Sequence, residues 1–139
     1  MKKFLFSILL LTISLTVTAN DVNFTNSLRN CIPYTDSGSV NSGNINAQSA
    51  KKILGRQNDR CIYKEQISYG GMNFDVTCRF TDAQTRELSD VMDSYNLLQK
   101  YSGEEPDLSS FESIQNNPVA KVWNKYLQDT SVCSMSGLQ

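Results

Sequence analysis

Residues 61–69 and 72–80 constrain the fold of this 139-residue chain more than any other stretch, because both alternate with the period of a strand and only Gly70-Gly71 separates them. In Cys61-Ile62-Tyr63-Lys64-Glu65-Gln66-Ile67-Ser68-Tyr69 the odd positions are Cys, Tyr, Glu, Ile and Tyr. In Met72-Asn73-Phe74-Asp75-Val76-Thr77-Cys78-Arg79-Phe80 the even positions are all apolar or Cys and the odd ones all polar. A two-residue type I′ turn needs positive φ at both central residues, which glycine supplies without steric cost. Pairing across Gly70-Gly71 sets Tyr69 opposite Met72, Ile67 opposite Phe74 and Tyr63 opposite Cys78. One face is then nearly all apolar. The other carries Ile62, Lys64, Gln66, Ser68, Asn73, Asp75, Thr77 and Arg79, as in an antiparallel pair with one buried and one solvated face.

A lone hairpin is marginal in water and needs more sheet or a covering helix. Residues 47–56 suit a third strand that turns through Gln57-Asn58-Asp59; Ala47, Ala50 and Leu54 would also suit a helix ending near Gly55, and the strand reading is preferred. Thr35 to Asn46, rich in Ser, Gly and Asn, reads as a loop or a poorly ordered edge segment. Phe24, Leu28 and Cys31 have near-helical spacing and give a short helix over residues 21–30. After Phe80 the period changes. Thr81-Asp82-Ala83-Gln84 is a capping box, and Leu88, Val91, Met92, Tyr95 and Leu98 form one helical stripe to about Lys100. Gly103 to Pro106 breaks it, Ser109-x-x-Glu112 caps a short helix with Phe111 and Ile114, and Asn117-Pro118 opens another carrying Val119, Val122, Trp123, Tyr126 and Leu127. The expected fold is α+β: a small antiparallel sheet of two to three strands packed against C-terminal helices and stabilised by disulfides.

The N-terminus has the form of a cleavable export signal over residues 1–19: Lys2-Lys3, an apolar run from Phe4 to about Val17, and Val17-Thr18-Ala19 with small residues before the cut. The run is short of the roughly 20 apolar residues of a membrane span and is diluted by Ser7, Thr12, Ser14 and Thr16. The rest, residues 20–139, reads as one small exported domain without a membrane span, periplasmic or secreted. Its four cysteines, Cys31, Cys61, Cys78 and Cys133, are an even number without any Cys-x-x-Cys, which in an exported chain implies two disulfides. The preferred pairing is Cys61–Cys78, closing the hairpin, with Cys31–Cys133 stapling the chain ends. In the register above Cys61 and Cys78 share a face but lie diagonally, so that bond requires a bulge or a shift by two residues.

The chain has no histidine, which removes Ser-His-Asp and Cys-His catalysis and His-containing metal sites. No Gly-rich phosphate loop or Gly-x-Ser-x-Gly occurs, and no cofactor or metal is expected. A carboxylate pair is the enzymatic option that survives, drawn from Glu65, Asp75, Glu104, Glu105 and Asp107, for hydrolysis of an envelope or host glycan. Glu65 interrupts the apolar face of its strand; the preferred reading is structural, at a sheet edge or beside a Lys or Arg, since buried acids are usually paired. Net charge is −1 over the whole chain and −3 without the signal segment, which argues against nucleic acid as a partner. Charge is uneven: Lys51, Lys52, Arg56, Arg60 and Lys64 cluster against Asp59 alone, whereas residues 82–112 are mainly acidic. The leading expectation is therefore a non-enzymatic binding or structural module. Its contact residues are Lys51, Lys52, Arg56 and Arg60, or the Tyr69-Gly70-Gly71 tip, and its partner is an envelope protein or an acidic surface polymer. For the charge asymmetry taken by itself, the preferred reading is that basic sheet and acidic helices neutralise each other within the fold.

Overall fold

The computed structural model describes residues 22–42, 45–103 and 115–137. The expected signal segment, the Ser109–Ile114 helix and the acids Glu104, Glu105, Asp107 and Glu112 lie outside the described residues. The chain order is α1 (Val22–Asn30), β1 (Tyr34–Ser42), β2 (Ile45–Gln57), β3 (Arg60–Tyr69), β4 (Met72–Phe80), α2 (Asp82–Ser102), α3 (Pro118–Leu127) and β5 (Cys133–Ser136). The five strands form one antiparallel sheet in the order β1-β2-β3-β4-β5. The α+β class is as expected, and the sheet is larger than the two to three strands predicted.

The β3–β4 hairpin has the register read from its alternation, with Tyr69 opposite Met72, Ile67 opposite Phe74 and Tyr63 opposite Cys78. Gly70 and Gly71 both hold positive φ, at 57° and 80°. The β2–β3 turn uses the same geometry without glycine: Asn58 and Asp59 sit at φ 52° and 63°, the residue types that tolerate the left-handed region best. Residues 47–56 are strand, as preferred. The segment expected as a loop or edge is the regular edge strand β1 and the start of β2. Its Ser, Gly and Asn residues have weak strand propensity, and tertiary pairing along β2 overrides it. β5 was not expected; it is four residues long and owes its place to pairing with residues 75–78 of β4.

Helix ends follow the local chemistry. Thr81 and Gln84 form the capping box of α2, with the Thr81 hydroxyl accepting from the Gln84 amide and the Gln84 carbonyl oxygen accepting from the Thr81 amide. Asn117 caps α3 ahead of Pro118, and Gly103 closes α2 in the left-handed conformation. At the end of α1 the Ile32 amide donates to Ser27 O and the Cys31 amide to Leu28 O. This Schellman arrangement puts Cys31 at φ 52°, an unusual conformation for a residue other than glycine.

One face of the sheet packs on the helices. Trp123 of α3 is fully buried against Tyr63 and Phe80, with ring centroids 5.3 and 5.8 Å away, and Phe24 of α1 reaches the other side of Tyr63 at 6.2 Å. Truncating such a residue costs roughly 3–5 kcal/mol, so this aromatic cluster is the main fixture of helices on sheet. Arg29 of α1 bonds Asp90 and Asp93 of α2 at 2.6 and 2.7 Å, and Lys125 of α3 bonds Glu87 of α2. The acidic helix thus finds most of its cations on other helices. No helix among the described residues is long and apolar enough to cross a membrane.

The disulfides are Cys31–Cys61 and Cys78–Cys133, which corrects the expected pairing of Cys61 with Cys78 and Cys31 with Cys133. The reason lies in the register. Cys61 stands opposite Phe80, not Cys78, so that bond would have to run diagonally. Cys78 instead faces Cys133 directly on β5, a strand that the sequence did not suggest. Cys61 is left to meet the end of α1, where the left-handed turn at Cys31 brings the two Cα atoms to 5.7 Å.

Candidate functional site

Because alternate residues of a strand point to opposite faces, the basic stretch of β2 and β3 is divided between two environments. Lys51 and Glu65 are directly opposed on the helix side and are each only 2% exposed. Lys52 and Lys64 are the next pair along the ladder, directly opposed on the outer side and exposed. Lys51 is therefore no part of an external basic surface: its ammonium lies 3.9 Å above the ring of Phe24, in the cation–π geometry expected of a desolvated charge. Arg56 also leaves the outer face. A register shift between Ile53 and Gly55 inserts one residue into β2, so that Arg56 stands opposite Cys61 and bonds Asp82 at the start of α2. Of the four cations expected to act together, Lys52 and Arg60 remain on the solvent side.

The same alternation adds two others. Arg60, Ile62, Lys64, Gln66 and Ser68 share the outer face of β3, and Arg79 of β4 lies opposite Ile62, diagonal to Lys64. Lys52, Arg60, Lys64 and Arg79 thus gather at one end of the sheet, with Asp75 the acid next to them on β4. None of the ion pairs of the described residues involves Lys52, Arg60, Lys64 or Arg79. Arg56–Asp82 is an ion pair between sheet and helix. Lys64 belongs to the basic cluster of the sequence without being named as a contact, and Arg79 is legible only as a member of the polar face, since linear charge counting does not bring β4 beside β3.

Beyond this cationic end the outer face of β2 and β3 is uncharged, with Asp75 of β4 exposed opposite Gln66. Ala50 stands between Ser37 and Gln66, and Gln48 between Ser39 and Ser68. Small side chains at Ser37, Gly38, Ser39 and Ala50 leave a depression of 410 Å³ that Gln48 and Gln66 border. A second depression, lined by Asn46, Gln48, Ser68, Tyr69, Gly70 and Gly71, adjoins it through Gln48 and Ser68. The Tyr69-Gly70-Gly71 tip is therefore one end of a groove whose other end approaches Lys52 and Lys64. The Ser68 hydroxyl is 2.6 Å from Asn73 Oδ1, to which it donates. Among the described residues the side-chain amides of Gln48 and Gln66 make no hydrogen bond within the chain.

On the inner face, Glu65 occupies the central strand and not an edge. The Tyr63 hydroxyl donates to its Oε2 at 2.7 Å, and its Oε1 has no partner. Burial pushes the Glu65 carboxyl up to about 7 from its ordinary 4.5, against the hydrogen bond from Tyr63 and the positive charge of Lys51, both of which favour the ionised form. Of the other acids proposed for catalysis, Asp75 lies on the outer face, opposite Gln66, with the whole sheet between it and Glu65. Among the described residues no group of three or more His, Cys, Asp or Glu is placed to hold a metal. Compared with known proteins, the chain matches no family model, no curated protein and no solved structure.

Proposed function

We propose that the chain is exported and works outside the cytoplasm as a non-enzymatic module that holds an acidic polymer of the cell envelope on the open face of its sheet. The observation that carries this reading is the Lys52–Lys64 pair. Like charges directly opposed across an antiparallel ladder are destabilising, yet these two face solvent with Arg60 and Arg79 around them and Asp75 as the neighbouring acid. An anion laid over them would remove the repulsion, so the cost in the free protein becomes binding energy in the complex. A linear polymer suits an open sheet face better than a compact ligand, because the cations lie on three neighbouring strands rather than around a closed cavity. The two disulfides accord with an oxidising compartment, and the signal-like residues 1–19 supply the route to it.

Isothermal titration of the purified protein with alginate, a carboxylate polymer, tests the reading, with neutral dextran as control. The expected result is binding of alginate alone, weakening steeply with salt and at least tenfold weaker in Lys52→Glu/Lys64→Glu. An alginate affinity unchanged in that variant, with its fold verified by circular dichroism, would refute the assignment.

A further inference from the structure

Resting on that reading, we infer that the groove beside the cations recognises sugar hydroxyls, so that the ligand class is an acidic polysaccharide and not polyanions in general. The argument begins with the change of chemistry along the outer face. Successive outward rows of a strand are roughly 6.6–6.8 Å apart. The Lys52–Lys64 row is followed by the Ala50–Gln66 row and then by the Gln48–Ser68 row, which places the last about 13 Å from the cations. Over that length the face has no charge on β2 or β3 and presents primary amides and hydroxyls. Each amide offers two N–H donors and a carbonyl acceptor. A pyranose presents neighbouring hydroxyls that both donate and accept, the pattern that such amides match. A polyphosphate or an acidic peptide presents no such array of hydroxyls.

The relief of the surface agrees. Ala50 forms a low floor, because no longer side chain lies between Ser37 and Gln66. Gln48 and Gln66 flank it, and the groove runs on to Asn46 and Tyr69 beside the Gly70-Gly71 turn. With their amides unbonded within the chain, Gln48 and Gln66 turn to a ligand without breaking an internal bond. In the complex the carboxylate of one sugar lies at Lys52 and Lys64, and the hydroxyls of the following sugars lie along Gln66, Gln48 and Ser68.

The test compares alginate with poly-L-glutamate, which shares its carboxylates and lacks its hydroxyls, on the wild type, Gln48→Ala/Gln66→Ala and Lys52→Glu/Lys64→Glu. The expected result is a tenfold or greater loss of alginate affinity in the glutamine variant with polyglutamate affinity within twofold of wild type, and loss of both ligands in the lysine variant. Urea midpoints of both variants verify folding; the four positions are exposed. Alginate binding that is unchanged in the glutamine variant overturns the sugar inference, as does an equal loss of both ligands. A wild type that binds polyglutamate but not alginate also overturns it, and points to an acidic protein on the same cations. A wild type that binds neither overturns the charge reading beneath it as well.

Discussion

Glu65 makes stability depend on pH in a window where little else in the chain does. There is no histidine, all four cysteines are bonded, and among the described residues the other displaced groups move away from neutrality: burial moves Tyr126 upward, and hydrogen bonds from Ser131 move Asp129 downward. For Glu65 the folded value of about 7 lies above the ordinary 4.5, so between these limits the native state holds a proton that the unfolded state has released. The stabilisation is fully present below pH 4.5 and is lost as pH rises through 7. That interval corresponds to about 3 kcal/mol. With a urea m-value of roughly 1–3 kcal/mol/M, the unfolding midpoint should fall by about 1 M or more between pH 4.5 and 7.5. The fluorescence of Trp123, the single tryptophan and fully buried, reports the transition with the disulfides intact. Glu65→Gln keeps an acceptor for the Tyr63 hydroxyl and cannot ionise, so its midpoint should stay flat over the same range and exceed that of the wild type above pH 7. A flat wild-type profile, or a variant that declines in parallel, would refute the assignment of this titration to Glu65.

Three further outcomes follow from the same geometry. Tyr63→Phe removes the hydrogen bond that favours the ionised carboxylate, so the wild-type decline should move to higher pH in the same urea series. Lys64→Thr relieves the repulsion with Lys52 and places a good strand former on the outer face; stability should rise by about 0.5 kcal/mol while alginate binding weakens. Tryptic mapping without reduction should recover Cys31 joined to Cys61 and Cys78 joined to Cys133. Replacing Cys78 and Cys133 together by Ala should cost roughly 4 kcal/mol for a separation of 55 residues, measured by chemical unfolding.

How far the sequence revealed this structure depended on whether a signal was local. The Gly70-Gly71 hairpin, the Thr81 capping box and the Asn117-Pro118 start were legible because each is a contiguous pattern with its own hydrogen bonds or turn geometry. β1 was not, because Ser37, Gly38 and Ser39 have no strand preference of their own and acquire strand structure from β2. The disulfides were mispaired for a related reason. Their partners are set by β5 and by the end of α1, and neither placement is encoded near the cysteines. The candidate site was half visible. The charges of Lys52 and Arg60 show in the sequence, whereas the inward turn of Lys51 and the displacement of Arg56 depend on strand parity and on the irregularity at Gly55, which a run of basic residues does not reveal. Glu65 stands opposite Lys51 on the central strand, not at the sheet edge that one sequence reading assigns it.

The inner and outer charge pairs of the β2–β3 ladder are connected through register. A slip of one residue would turn Lys52 inward and expose Ile53, which is 2% exposed in the native packing. Slips of two residues preserve the faces but set Glu65 opposite Ile53 or Ser49, separating it from Lys51. Such slips would also shift every other cross-strand contact of the β2–β3 ladder by two residues, Ile53 opposite Tyr63 included. Register thus fixes the two rows together, Lys51 opposite Glu65 on the inner face and Lys52 opposite Lys64 on the outer.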